Sequence, residues 1–189
     1  MSRNGKGKQK GFTLLECMIA MVILSFGILS LASTYTWGLS NSNQVQMQYI
    51  ANQKAQEAME SIYEARDANL LTFSQINNVS NGGVFLNGAQ PLLAPGPDGI
   101  VGTADDLTTQ PDVIITGPGP DGILGTADDT YIPLNPWMTR TIAITQVSNP
   151  SAGAGNNYAN MVQVTVTVNW TYEGKSGQVQ LVSYISSYS

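Results

Sequence analysis

Two near-copies of one stretch concentrate the carboxylates of this chain: GPDGIVGTADD at 96–106 and GPDGILGTADD at 119–129, differing only at Val101 against Leu124. Each copy brings three acids, Asp98, Asp105 and Asp106 in the first and Asp121, Asp128 and Asp129 in the second, with Asp112 between them. Carboxylates together with carbonyls turned inward by glycine are the oxygen ligands that calcium takes in flexible loops. Between Arg66 and Arg140 there is no Lys or Arg, so these seven aspartates have no cationic neighbour in the sequence, and a bound calcium ion would relieve their repulsion. The spacing is not that of the EF-hand loop, which needs D-x-D-x-[DN]-G and a distal glutamate. Pro-Asp-Gly is also turn chemistry, which leaves solvated acidic turns as the competing reading.

The other residue of chemical interest is Glu16. It lies near the start of an apolar run at 12–32, FTLLECMIAMVILSFGILSLA, preceded by the basic segment MSRNGKGKQK. Such a run is long enough to cross a bilayer, which takes roughly 20 residues as a helix. A carboxylate in hydrocarbon costs at least about 2 to 3 kcal/mol and is retained for a purpose. Arg3, Lys6, Lys8 and Lys10 are half of the eight bases, and all thirteen acids follow Gly11. That asymmetry places the N-terminal flank in the cytoplasm and the rest outside it under the positive-inside rule. It also argues against nucleic acid as a partner, which requires a basic footprint.

Other chemistry is thinly represented. The chain has no histidine and one cysteine, Cys17, so an intrachain disulfide is excluded and the commonest general base and metal ligand is missing. No G-x-S-x-G, H-E-x-x-H or Walker loop occurs, and no catalytic residues are assigned.

The elements that hold these residues follow from periodicity. A single long helix is predicted from Phe12 to about Asp67, with Gly27 and Gly38 as soft points. Its first part, 12–32, is a transmembrane and assembly segment; the amphipathic continuation, 33–69, carries Ala51, Ala55, Ala58, Ile62 and Ala65 at helical spacing. In VQVTVTVNWTY, Val162, Val164, Val166, Val168, Trp170 and Tyr172 alternate with polar residues, the period of a half-buried strand. A turn at 173–177, a returning strand through Val179, Leu181 and Ile185, and a strand at RTIAITQV (140–147) complete an antiparallel sheet in 139–189, with the polar loop NPSAGAGNN between strands. The fold class is therefore α+β, with the sheet over the helical stripe. Residues 70–138 read as a loop-dominated insertion with short strand-like pieces at 83–86 and 113–116.

The junction Gly11-Phe12-Thr13-Leu14-Leu15-Glu16 resembles the cleavage signal of type IV pilins and type II secretion pseudopilins. The resemblance implies a pilin-like fold, with residues 1–11 as a leader cut after Gly11 by prepilin peptidase. It further implies N-methylation of Phe12, and Glu16 pairing with the N-terminal amine of a neighbouring subunit. Partners implied are other pilin subunits, the peptidase and an inner-membrane assembly platform; no enzyme activity and no required cofactor are implied. The C-terminal hairpin looks like that of PilV-like minor pilins. Ser33 stands where major pilins commonly carry a proline, and the paired C-terminal cysteines of many major pilins are absent. The expected localisation is the bacterial inner membrane, single-pass with a periplasmic C-terminal domain, and then the pilus. Three alternatives compete: a minor pseudopilin, a calcium-dependent adhesin exported by the pilin route, and an ordinary signal peptide or anchor, for which Ser30-Leu31-Ala32 would serve as a cleavage site.

Overall fold

The computed structural model describes residues 11–149, 151 and 157–187. The leader up to Lys10 and most of the NPSAGAGNN loop lie outside the described residues. Packing divides the chain into two units, Met1–Asn43 and Gln44–Ser189, and helix α1 (Leu14–Asp67) contributes to both.

In the first unit α1 is continuous through Gly27 and Gly38, which are not breaks. Every large hydrophobic side chain from Phe12 to Leu39 is exposed. The hydroxyls in this apolar stretch turn back on their own helix: Ser25 donates to the Met21 carbonyl at 2.8 Å and Ser30 to that of Phe26 at 2.9 Å. Polar groups satisfied within the helix are tolerated in an apolar medium, where an unmet hydrogen bond costs several kcal/mol.

In the second unit α1 buries Ile50, Ala51, Ala55, Ala58, Met59, Ile62 and Ala65, the stripe expected from the alanine spacing. The helix ends in a Schellman motif. Asn69 takes a left-handed φ of 56°, Leu70 N–H donates to the Ala65 carbonyl at 2.8 Å, and Asn69 N–H to that of Arg66 at 3.0 Å. The stripe shares one core with the inner face of a four-stranded antiparallel sheet, order β1-β6-β7-β8. These strands are β1 (Gln90–Pro91), β6 (Met138–Ser148), β7 (Asn157–Tyr172) and β8 (Lys175–Ser186). Val162, Val164, Val166, Val168 and Trp170 point inward as their alternation requires.

The turn before β8 is shorter than the five residues expected. Only Glu173 and Gly174 form it, with φ of 50° and 75°, and β8 resumes at Lys175. Positive φ at both central residues gives a hairpin turn whose twist matches its strands, so pairing continues to the turn itself. Trp170 lies opposite Gly177, where a Cβ would collide with its indole, so the glycine is what admits the ring.

The insertion contains more pairing than its composition suggests. Strands β2 (Leu93–Ala94) and β3 (Leu107–Pro111) form one antiparallel ribbon, and β4 (Val113–Gly117) and β5 (Thr130–Pro133) form another. Residues 83–86, by contrast, are not a strand but make one isolated bridge, Asn78↔Phe85. Asn78 is buried, and its side chain does the work of a strand backbone: Nδ2 donates to the Ile142 carbonyl and Oδ1 accepts from Ile144 N–H, both at 2.8 Å. With that length of β6 already met by an amide, no ladder is left for 83–86 to extend.

Candidate functional site

The expected processing junction sits where the helix begins. Gly11, Phe12 and Thr13 precede α1 and are exposed. Thr13 N–H donates to Glu16 Oε2 at 2.8 Å, the Thr13 hydroxyl donates to the same oxygen at 2.9 Å, and Glu16 N–H donates to Thr13 Oγ1 at 3.3 Å. This is a reciprocal capping box of the T-x-x-E type, a signal that was present in the sequence and not read there. It makes Thr13 the N-cap, so that the helix starts at Leu14 rather than Phe12, and gives Glu16 a position in the first turn, where the helix dipole favours a negative charge. A Cβ built on Gly11 would meet nothing within 4 Å, so this chain's own packing does not demand glycine there.

The two acidic repeats fold into the same loop. Gly99 and Gly122 have φ of 72° and 73°, and Gly102 and Gly125 of 85° and 90°. Asp98 Oδ1 accepts from Ile100 N–H, and Asp121 Oδ1 from Ile123 N–H, each at 2.8 Å. Asp106 Oδ2 accepts from Gly102 N–H at 2.8 Å, and Asp129 Oδ2 from Gly125 N–H at 2.6 Å. Thr103 donates its hydroxyl to Asp105 Oδ1, and Thr126 to Asp128 Oδ1, each at 2.6 Å. That threonine bond is the main reason the carboxyls of Asp105 and Asp128 are held below the ordinary aspartate value. A Cβ on Gly96 would strike Asp105, and one on Gly119 would strike Asp128. The terminal Asp pair thus has a conformational role that turn propensity alone did not suggest: its carboxylates knit each loop shut.

Neither candidate calcium set, Asp98, Asp105 and Asp106 or Asp121, Asp128 and Asp129, is arranged as a metal-holding group. Among the described residues no group of three or more Asp, Glu, His or Cys side chains is arranged to hold a metal ion. The expectation that they lack cationic partners is also corrected, because cations arrive from other elements. Asp112 is buried and meets Lys54 of α1, Oδ1 to Nζ 2.8 Å, and Lys54 also reaches Glu57 at 2.7 Å. Burial works against the ammonium, but these two partners outweigh it and hold Lys54 above the ordinary lysine value. Arg140 sits on the inner face of β6, only 2% exposed, and its charge acts on Asp106 and Asp112. Burial pushes the Asp106 carboxyl above the ordinary value.

The loops differ in what surrounds them. Val101 is buried in the core, whereas Leu124 at the matching place is exposed. Val101→Asp is expected to cost about 3 to 5 kcal/mol by burying an unpaired charge, and Leu124→Asp to stay within about 0.5 kcal/mol. Urea unfolding of the full chain in detergent micelles measures both.

The prokaryotic N-terminal methylation motif matches residues 6–32. No curated protein and no solved structure matches the chain. The matched stretch contains Gly11, Phe12 and Glu16 and ends within helix α1, whose apolar part is long enough to cross a membrane. The capped carboxylate and uncovered apolar helix agree with membrane anchoring before assembly, and the motif at residues 6–32 indicates a type IV pilin-like prepilin.

Proposed function

We propose that this chain is a minor type IV pilin, PilV-like, which prepilin peptidase cuts after Gly11 and methylates at Phe12. It then enters, or primes assembly of, a pilus. The observation that carries this reading is the uncovered apolar helix with one carboxylate fixed at its start. Side chains of that kind need lipid at first and other apolar helices afterwards. Cleavage creates a cationic amine at Phe12, and Glu16 of an adjacent subunit neutralises it in a medium where either charge alone is costly. Contacts of this head-to-tail kind are heterologous and build open helical filaments. Before assembly the globular part occupies the periplasm, tethered to the inner membrane; afterwards it lies on the pilus. The Ser33 position and the missing cysteine pair support a minor over a major subunit.

A minor pseudopilin of a type II secretion system uses the same chemistry and is the second reading, favoured by the same helix. Recovery of the chain from sheared surface pili, with N-methyl-Phe12 by mass spectrometry, tests the first reading. Recovery only with secretion machinery supports the second. Gly11→Leu is expected to leave the fold intact, because the site is open, yet to block processing; a mature-length band on a gel would refute the assigned bond. No cofactor is needed in this role. Excess calcium or chelator is expected to leave the melting temperature of the full chain in detergent unchanged. A ligand at a hundred times its dissociation constant would add about 2.7 kcal/mol, so a calcium-selective rise would favour the calcium and adhesin readings.

A further inference from the structure

Among the described residues, four Asp or Asn side chains are followed directly by glycine: Asn81-Gly82, Asn87-Gly88, Asp98-Gly99 and Asp121-Gly122. Such a pair can close on itself, because no Cβ on the glycine hinders its nitrogen from approaching the side-chain carbonyl carbon. The nitrogen reacts only when its N–H is not held elsewhere. In three of the pairs it is held. Gly82 N–H donates to the Val79 carbonyl at 3.1 Å, Gly99 N–H to that of Gly96 at 3.1 Å, and Gly122 N–H to that of Gly119 at 3.0 Å. Gly88 N–H has no hydrogen-bond partner among the described residues. Asn87 and Gly88 are exposed and lie outside helix and strand, and a Cβ built on Gly88 would meet nothing within 4 Å. The Asn87 carbonyl is also polarised, since the Ser80 hydroxyl donates to Oδ1 at 3.0 Å. Among the described residues no donor reaches Asn81 Oδ1; that side chain donates instead, Nδ2 to Asn77 Oδ1 at 3.4 Å.

We propose that Asn87-Gly88 is a site of self-modification, at which the folded chain converts its own asparagine to isoaspartate and aspartate. Gly88 N bonds to Asn87 Cγ, and the negative charge that develops on Oδ1 is met by the Ser80 hydroxyl. The bond from Cγ to Nδ2 then breaks, and ammonia leaves with the proton that Gly88 gives up, closing a succinimide ring. Water opens the ring at one carbonyl or the other. Either product places a new carboxylate on the surface. In the isoaspartate the main chain runs through Cγ, and the carbonyl that accepts from Gln90 Nε2 at 2.9 Å becomes part of that carboxylate. No reagent beyond water enters, and the step is independent of the filament reading.

The test holds the purified full chain in detergent at mildly alkaline pH and follows the peptides containing Asn81 and Asn87 over days by mass spectrometry, with a parallel sample in urea. In the folded chain Asn87 is expected to convert about fivefold faster than Asn81, the factor set by the one ordinary hydrogen bond that Gly82 must first give up. In urea the two rates are expected to converge. Ser80→Ala is expected to slow conversion at Asn87 and leave Asn81 unchanged. Equal conversion of both asparagines in the folded chain, or none at Asn87, overturns the proposal. So does the same bias in urea, because sequence rather than fold would then set it. An unaltered rate in Ser80→Ala overturns the part given to the hydroxyl.

Discussion

Glu16→Ala is expected to leave the chain inserted and processed but to strip it from sheared filaments. Two contributions disappear together. The capping box at Thr13 is worth about 1 kcal/mol, which frays the first turn without unfolding a helix of this length. The larger loss falls on the partner. An N-terminal cation packed among apolar helices without a carboxylate is penalised by about 3 to 5 kcal/mol, which lowers an assembly constant by roughly two to four powers of ten. Glu16→Gln separates the two, because an amide oxygen can still accept from Thr13 while the charge is gone. If charge dominates, Gln behaves as Ala does. Incorporation of Gln at the normal level would show that the cap, and not the ion pair, is what assembly needs. Immunoblots of sheared filaments against membrane fractions read all three chains.

Arg140→Ala is expected to lower the stability of the globular part by about 3 to 5 kcal/mol, about 10 °C in melting temperature for the full chain in detergent. Arg140 stands among Met138, Ile142 and Ile144 on the inner face of β6, a place where a cation is sustained only by nearby negative charge. That charge comes from Asp106, Asp112 and Glu57. The attraction acts through charge rather than hydrogen bonds: Arg140 Nη1, Asp106 Oδ1 and Asp112 Oδ2 are all buried without a hydrogen-bond partner. Removing the guanidinium leaves Asp112 to Lys54 alone and takes from Asp106 the cation that acts on it. Arg140→Lys keeps the charge and should recover much of the loss. A melting temperature unchanged by the alanine would mean that the carboxylates simply take up protons when the cation goes.

The helix and the three long strands were legible because their signals are periodic and local. Alanine spacing gave the buried face of α1, and valine alternation gave the inward face of β7. The helix starts two residues later than the apolar run because Thr13 and Glu16 form a cap, which apolar periodicity does not register. What the repeats do was harder to see. Their aspartates look like ligands when counted along the chain, but each carboxylate is engaged by an N–H or hydroxyl a few residues away, a relation that exists only once the glycines have turned. Lys54 and Arg140, remote in sequence, could not be assigned to Asp112 and Asp106 before the helix and sheet were brought to the insertion. Nor could the sequence reveal that one repeat is buried and the other exposed, since Val101 and Leu124 are equally apolar.

The second repeat leaves the body of the protein at Gly117 and returns at Thr130, and these two residues are register partners. A segment that departs and re-enters at one point imposes no length on what it interrupts. The ribbon of β4 and β5 could therefore exchange this loop for a shorter or a different one while the rest of the domain kept its coordinates. The first repeat has no such liberty, because its tip is part of the core. The two near-identical copies therefore carry unequal constraint: a change at the anchored tip disturbs the core, and a change at the exposed tip does not.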